Sequence, residues 1–172
     1  MLFCRIVSHK IFEMKKFFLT IALVAATLVF TSGFNEEAAA GGRGETAADV
    51  ELVNSFGSVS LKDYRGQYVL LSFWSSEDAA SRILCASYAR ECAKNGKAVH
   101  LGVNFDEQKA LFDAIVDADG LDAKAQYNLT GTAAATVRHD YRLDGGTLGT
   151  LLIDPKGRIA AVNPPAEMIA SL

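Results

Sequence analysis

The stretch from Tyr68 to Trp74 reads Tyr-Val-Leu-Leu-Ser-Phe-Trp, and it decides the fold. Nearly all of these residues are apolar, and the aromatic and β-branched types among them favour a strand. Apolar side chains occupy both alternating faces, so we expect the strand to be covered on both sides. Such strands are typical of the interior of a parallel sheet. The next residues, Ser75-Ser-Glu-Asp78-Ala-Ala-Ser81-Arg82, lead into a predicted helix.

The rest of the chain alternates between strand and helix patterns. Before Tyr68, two short apolar runs separated by a turn predict a hairpin. After Trp74, segments with helical spacing alternate with buried strands, and Asp154-Pro-Lys-Gly157 joins the last two strands as a second hairpin. The predicted order is strands 50–53, 59–61 and 68–74, helix 78–94, strand 98–103, helices 107–117 and 132–141, strands 148–153 and 158–162, and helix 165–172. This order indicates an α/β architecture.

The N-terminal segment is predicted to direct export. Lys15 and Lys16 precede an apolar run from 17 to 30, and small residues follow that run, as in a secretory signal peptide. As a helix the run would span about 21 Å, against about 30 Å for the hydrocarbon core of a bilayer, which favours cleavage over anchoring. We therefore predict a signal peptide over 1–33, with an anchor as the alternative, a flexible linker over 34–49 and a folded domain over 50–172.

Composition and charge restrict the location and the partners. Without residues 1–33, 13 basic residues face 19 acidic ones, a net charge of roughly −6. This balance disfavours nucleic acid and anionic lipid as partners. The mature protein is expected to be exported, in the periplasm or associated with the envelope, and to contact a membrane only if the N-terminal segment is uncleaved.

Two motifs carry a family resemblance. The segment Val59-Ser-Leu-Lys-Asp-Tyr-Arg-Gly-Gln-Tyr-Val-Leu-Leu-Ser-Phe-Trp74 closely resembles exported thioredoxin-like proteins of the TlpA and ResA type and the related redoxins. Tyr141 and Leu151-Leu-Ile-Asp-Pro-Lys-Gly-Arg-Ile159 match the end of the same domain. The resemblance implies a thioredoxin-like fold over 50–172, with a central mixed β-sheet flanked by helices and an N-terminal β-hairpin. It also implies an active site at the end of the strand that finishes at Trp74.

The chain departs from the family at that site. Where the family has Cys-x-x-Cys, this sequence has Asp78 and Ser81, and Leu148 or a neighbour replaces the family's cis-proline. Thiol-disulfide exchange requires a thiolate that attacks sulfur, and neither a carboxylate nor an alcohol forms a mixed disulfide. We predict that Asp78 caps the helix and that Ser81 is an ordinary residue of its first turn, so no catalytic residue is assigned.

Two cysteines remain in the predicted domain, Cys85 and Cys92. On one helix they would lie about 10.5 Å apart along the axis, whereas a disulfide needs Cα atoms within roughly 7 Å. We expect both to be inert core cysteines, with a redox-sensing or intermolecular role as the alternative. No cofactor is expected, and no metal, because His100 and His139 lack partners at ligand spacing.

Three functional hypotheses follow. The first is a redox-inactive thioredoxin-like protein of the bacterial envelope that binds extended polypeptide or an envelope protein through a surface around Trp74, Glu77 and Leu148. The second is a thiol-disulfide oxidoreductase or antioxidant redoxin that uses the non-standard cysteines. The third is a decayed paralogue with little function beyond folding.

Overall fold

The computed structural model describes residues 42–145 and 148–172. The described strands are β1 (Glu51–Asn54), β2 (Gly57–Ser60), β3 (Tyr68–Trp74), β4 (Ala98–Asn104), β5 (Gln126–Asn128), β6 (Thr150–Ile153) and β7 (Ile159–Val162). The α-helices are α1 (Ala79–Asn95), α2 (Lys109–Ala118), α3 (Gly131–Asp140) and α4 (Ala166–Ala170). The predicted signal peptide and the first half of the predicted linker, residues 34–41, lie outside the described residues. No helix in the described part of the chain is long and apolar enough to cross a membrane.

The central sheet has five strands in the order β5-β4-β3-β6-β7. Strand β3 runs parallel to β4 and antiparallel to β6, and every residue of β3 after Tyr68 is buried. Both the predicted strand and its position inside the sheet are therefore confirmed. The sheet is mixed because β6 and β7 form the antiparallel hairpin that the sequence predicted.

Alternate residues of each strand point to opposite sides of the sheet. In β3 both sets are buried, and helices cover both faces of the sheet. On one face, Leu71 and Phe73 of β3 pack in a large cluster with Val137 of α3. On the other face, Leu70 packs with residues of α1 and α4, and Trp74 packs with Cys85 of α1 and residues of α2. This face carries the segment that the family resemblance marks as the active site.

Strands β1 and β2 form the predicted N-terminal hairpin. The chain before this hairpin is also part of the fold. The backbone amide of Gly44 donates to the carbonyl of Ile159, and the backbone amide of Ile159 donates to the carbonyl of Glu45. Ala47 is buried in the core. The packed chain therefore begins before residue 50, which corrects the linker boundary predicted at 49. Backbone pairing holds this segment, so it needs few large apolar side chains.

Strand β5 is the element that the sequence did not predict. It has three residues, pairs in parallel with the end of β4, and carries polar Gln126 and Asn128. The side-chain amide of Asn54 in the N-terminal hairpin donates to the backbone carbonyl oxygens of Lys124 and Gln126, at 3.0 and 3.2 Å. This contact occupies backbone acceptors at an edge that would otherwise be open to another strand.

Candidate functional site

Asp78 caps helix α1 directly after the loop that leaves β3. One carboxylate oxygen, Oδ1, accepts hydrogen bonds from the backbone amides of Ala80 and Ser81, both at 3.1 Å. Its backbone is extended, as an N-cap residue requires. The predicted cap is confirmed, and the carboxylate meets the partial positive charge of the helix N-terminus.

Ser81 lies in the first turn of α1, as predicted, and is buried. Its hydroxyl donates to the carbonyl of Asp78 at 2.9 Å and accepts from the backbone amide of Ser75 at 3.4 Å. These partners are backbone groups, and a nucleophilic serine needs an adjacent base. The geometry of Ser81 is therefore that of a residue that stabilises the turn.

Asp106 is a residue of this region that sequence reasoning missed. It lies just beyond the end of β4, is buried, and accepts from the backbone amide and hydroxyl of Ser76 at 2.9 and 3.0 Å. The side-chain amide of Asn104 donates to its other oxygen at 2.9 Å. Asp106 therefore fixes the loop before α1 against β4. An acidic residue two positions after the end of a buried parallel strand was the available signal.

The predicted binding surface is wrong at two of its three residues. Trp74 is completely buried, because it packs on Phe112 of α2 with ring centroids 5.9 Å apart. Its indole nitrogen donates to Oε1 of Gln126 at 3.2 Å. Leu148 is buried in the core cluster on the other side of the sheet. Glu77 is exposed, in the loop before the cap.

The apolar groups that do reach solvent beside Glu77 belong to the first turns of α1. Ile83 is 66% exposed and Leu84 is 38% exposed. Ile83 borders an open cavity of about 480 Å³ between α1 and α2. Beside it Arg82 binds both carboxylate oxygens of Asp119 at 2.7 Å. This pair raises the pKa of Arg82 and lowers that of Asp119.

Both described cysteines are free thiols inside the core. Cys85 is 1% exposed and Cys92 5%, and the two lie in different clusters beneath α1. Burial raises the pKa of the Cys85 thiol to about 12 and that of Cys92 to about 11, because a thiolate loses hydration there. The predicted core positions are confirmed.

His100 is also buried, on β4 under α1. Its Nε2 lies 3.0 Å from the hydroxyl of Ser72 and 3.9 Å from the sulfur of Cys85. Burial lowers the pKa of His100 to about 4, so the imidazole is neutral at pH 7. Within 42–145 and 148–172, no three His, Cys, Asp or Glu side chains are arranged to hold a metal ion.

A mixed sheet with a helix starting at the carboxyl end of its central strand defines a thioredoxin-like protein, and comparisons with solved structures agree. Residues 43–162 match the model of the AhpC/TSA family, and the chain belongs to that family. Asp78 and Ser81 occupy the start of α1, which is where the resemblance places the two cysteines of the family motif. A comparison with curated proteins found no match.

Three solved structures illustrate the similarity. A thioredoxin-like protein from Parabacteroides distasonis is 27% identical, with a TM-score of 0.60 over 74% of this chain and 95% of that chain. The thioredoxin domain of a thiol-disulfide oxidoreductase from Bacteroides vulgatus is 23% identical, with a TM-score of 0.66 over 76% and 94%. A secreted thiol-disulfide isomerase from Corynebacterium glutamicum is 20% identical, with a TM-score of 0.56 over 71% and 77%.

Proposed function

We propose that this protein is a redox-inactive thioredoxin-like protein of the bacterial envelope that binds extended polypeptide. One observation carries the proposal: the two positions of the family's cysteines are Asp78 and Ser81, which cap and brace the helix, while both described thiols are buried. The chain keeps the fold of the family, but the thiolate that would start thiol-disulfide exchange is absent from the positions of Asp78 and Ser81.

The burial of the thiols supports inactivity quantitatively. At pH 7 a thiol with a pKa of about 12 is ionised to about one part in 10⁵, as for Cys85, and one with a pKa of about 11 to about one part in 10⁴, as for Cys92. A free cysteine with its ordinary pKa is ionised at about the percent level. Exchange is further limited because a disulfide sulfur has to approach the thiolate, and burial prevents that approach.

Alkylation under native conditions tests this point. We expect a maleimide to leave the peptides carrying Cys85 and Cys92 unlabelled in the folded protein and to label both after denaturation, as read by mass spectrometry. Labelling of either thiol within minutes in the folded state would remove the basis of the proposal.

The proposed binding surface consists of Glu77, Ile83 and Leu84 at the start of α1. Ile83 and Leu84 are large aliphatic side chains that reach solvent, and Ile83 borders the cavity between α1 and α2. The family resemblance implies that active relatives hold extended polypeptide at this end of the sheet. Trp74 is excluded from the surface by its burial.

A thiol-free polypeptide tests the binding. The probe is an unfolded model protein whose cysteines have been carboxymethylated, titrated against the purified protein by fluorescence anisotropy. We expect Ile83→Asp to weaken binding at least tenfold and Met168→Asp to leave it unchanged, because Met168 is an apolar residue on α4 that also reaches solvent, at 37% exposure, and lies outside the proposed surface. Equal losses in both variants, or no binding by the unsubstituted protein, would contradict the proposal.

Export is the remaining part of the proposal. The signal-like segment with Lys15 and Lys16 supports it, and one structural neighbour is a secreted isomerase. Cell fractionation with an epitope tag at the C-terminus is expected to find the protein outside the cytoplasm. Recovery with cytoplasmic markers would contradict this location.

The second candidate function is thiol-disulfide exchange or antioxidant activity through the remaining cysteines. The contact that favours it is the 3.9 Å approach of the Cys85 sulfur to Nε2 of His100, an arrangement of thiol and base. Native alkylation separates the two functions, because an active Cys85 must react while the protein is folded.

A further inference from the structure

The open cavity between α1 and α2 continues the proposed polypeptide surface along α1. Ile83 belongs to both, and the other apolar residues of the cavity wall are Ala79, Ala86 and Ala118. Because alanine side chains are small, they leave space between the two helices beside the exposed side chain of Ile83. The volume of about 480 Å³ is within the range of ligand sites. The apolar part of the cavity therefore has room for a large aliphatic side chain of a bound polypeptide.

Three charged residues complete the wall of this cavity: Arg82, Arg90 and Asp119. Arg82 binds both carboxylate oxygens of Asp119 at 2.7 Å, so these two charges compensate each other. The side chain of Arg90 is exposed, and it forms no ion pair with any residue in 42–145 or 148–172. The cavity wall therefore carries one uncompensated positive charge, although the chain as a whole is acidic.

Helix geometry sets the distance between the apolar and the charged part of the cavity. Ile83 and Arg90 are seven residues apart, so they lie on the same face of α1, about 10.5 Å apart along its axis. Lys94 follows one turn later on this face and is also exposed, which adds positive charge at the same end. An extended chain advances about 3.3 Å per residue, so about three residues of a bound polypeptide cover the distance.

We propose that the cavity selects extended polypeptides in which a large aliphatic residue and an acidic residue are three positions apart. The aliphatic side chain packs against Ile83 between the helices, and the carboxylate pairs with Arg90. A basic residue in place of the acidic one is disfavoured, because Arg90 repels it and both oxygens of Asp119 are already bound by Arg82. Because it names the class of polypeptide bound, this selectivity rests on the proposed function.

Short peptides that differ at two positions test the selectivity by fluorescence anisotropy. Three carry a leucine with aspartate, asparagine or lysine three positions away, and the fourth carries alanine with aspartate; each is made in both orders along the chain. We expect the better order of the leucine–aspartate peptide to bind about threefold to fivefold more tightly than its asparagine counterpart, and the lysine peptide to bind more weakly than both. High salt should remove this difference. The alanine peptide should bind at least tenfold more weakly at any salt concentration.

Two pairs of variants locate the contacts. Arg90→Gln is expected to abolish the preference for aspartate over asparagine, and Lys156→Gln to preserve it, because Lys156 is an exposed basic residue in the turn between β6 and β7. Ala118→Trp fills the cavity and is expected to weaken every leucine peptide at least tenfold. Ala133→Trp, at an exposed alanine of α3, is expected to leave their binding unchanged.

Equal binding of the aspartate and asparagine peptides would overturn the selectivity, and so would an aspartate preference that survives in Arg90→Gln. Undiminished binding by Ala118→Trp would place the polypeptide outside the cavity. If the carboxymethylated model protein still binds, these results, or a lack of binding by every peptide, contradict the selectivity and leave the proposed function intact. Absence of binding by that model protein as well would contradict the proposed function itself.

Discussion

His100 makes the stability of the fold depend on pH in a defined window. The imidazole is buried against the hydroxyl of Ser72 and the sulfur of Cys85, and these neighbours do not compensate a positive charge. Burial lowers its pKa from 6.5 to about 4 in the folded protein. The unfolded chain binds a proton at this residue below about pH 6.5, so folding then excludes that proton.

The sign and size follow from this difference. A group whose pKa is depressed by folding contributes stability that is present above pH 6.5 and is lost as the pH falls towards 4. At about 1.36 kcal/mol per pKa unit, the shift corresponds to about 3 kcal/mol between pH 7 and pH 4. Carboxylates contribute little in this window, because the lowered pKa values of Asp49, Asp119 and Asp154 start from 3.8.

Urea unfolding at pH 7.5, 6.5, 5.5 and 4.5 measures the effect. We expect the free energy of unfolding to fall by about 2.5 kcal/mol over this range, and His100→Asn to remove most of the slope whatever its stability at pH 7.5. Parallel slopes for the two proteins would refute the reasoning, because the loss would then arise from other groups.

Three tests of the local geometry use substitutions. Asp78→Ala should lower the free energy of unfolding by about 1 kcal/mol, because the helix cap is lost. Glu77→Ala, the control, should change it by less than about 0.5 kcal/mol. Equal effects of the two substitutions in urea unfolding would refute the cap. Gly102→Ala should cost about 1–3 kcal/mol in the same assay, because its Cβ would lie 2.0 Å from Gln126 Oε1, and an unchanged midpoint would contradict this packing. The double variant Asp78→Cys, Ser81→Cys should catalyse insulin reduction, because the helix N-terminus stabilises a thiolate. No gain in rate over the unsubstituted protein would show that the scaffold no longer supports thiol-disulfide exchange.

Local sequence signals predicted the parts of the fold that local physics determines. The continuous apolar run of β3 predicted a strand buried on both sides. The helical pattern over 78–94 predicted α1, which ends at Asn95 before Gly96 in the left-handed conformation. The cap at Asp78 was predictable for the same reason, since its hydrogen bonds reach only two and three residues along the chain.

Long-range contacts determine what the sequence could not predict. The sequence predicted that Trp74 belongs to a binding surface. The structure buries it, because Phe112 packs on its ring and Gln126 accepts its indole N–H, and both residues are distant in sequence. Strand β5 has three residues, too few for an alternating pattern, and forms because β4 supplies a partner. The site likewise contains Asp106, whose role depends on a loop 30 residues earlier in the chain.

Insulin reduction with dithiothreitol as electron donor tests the central claim most directly. The purified protein is expected to precipitate insulin no faster than dithiothreitol alone, because Asp78 and Ser81 carry oxygen groups at the positions of the family's cysteines and its described thiols are buried. A rate above that background, abolished by replacing Cys85 or Cys92 with alanine, would contradict the account.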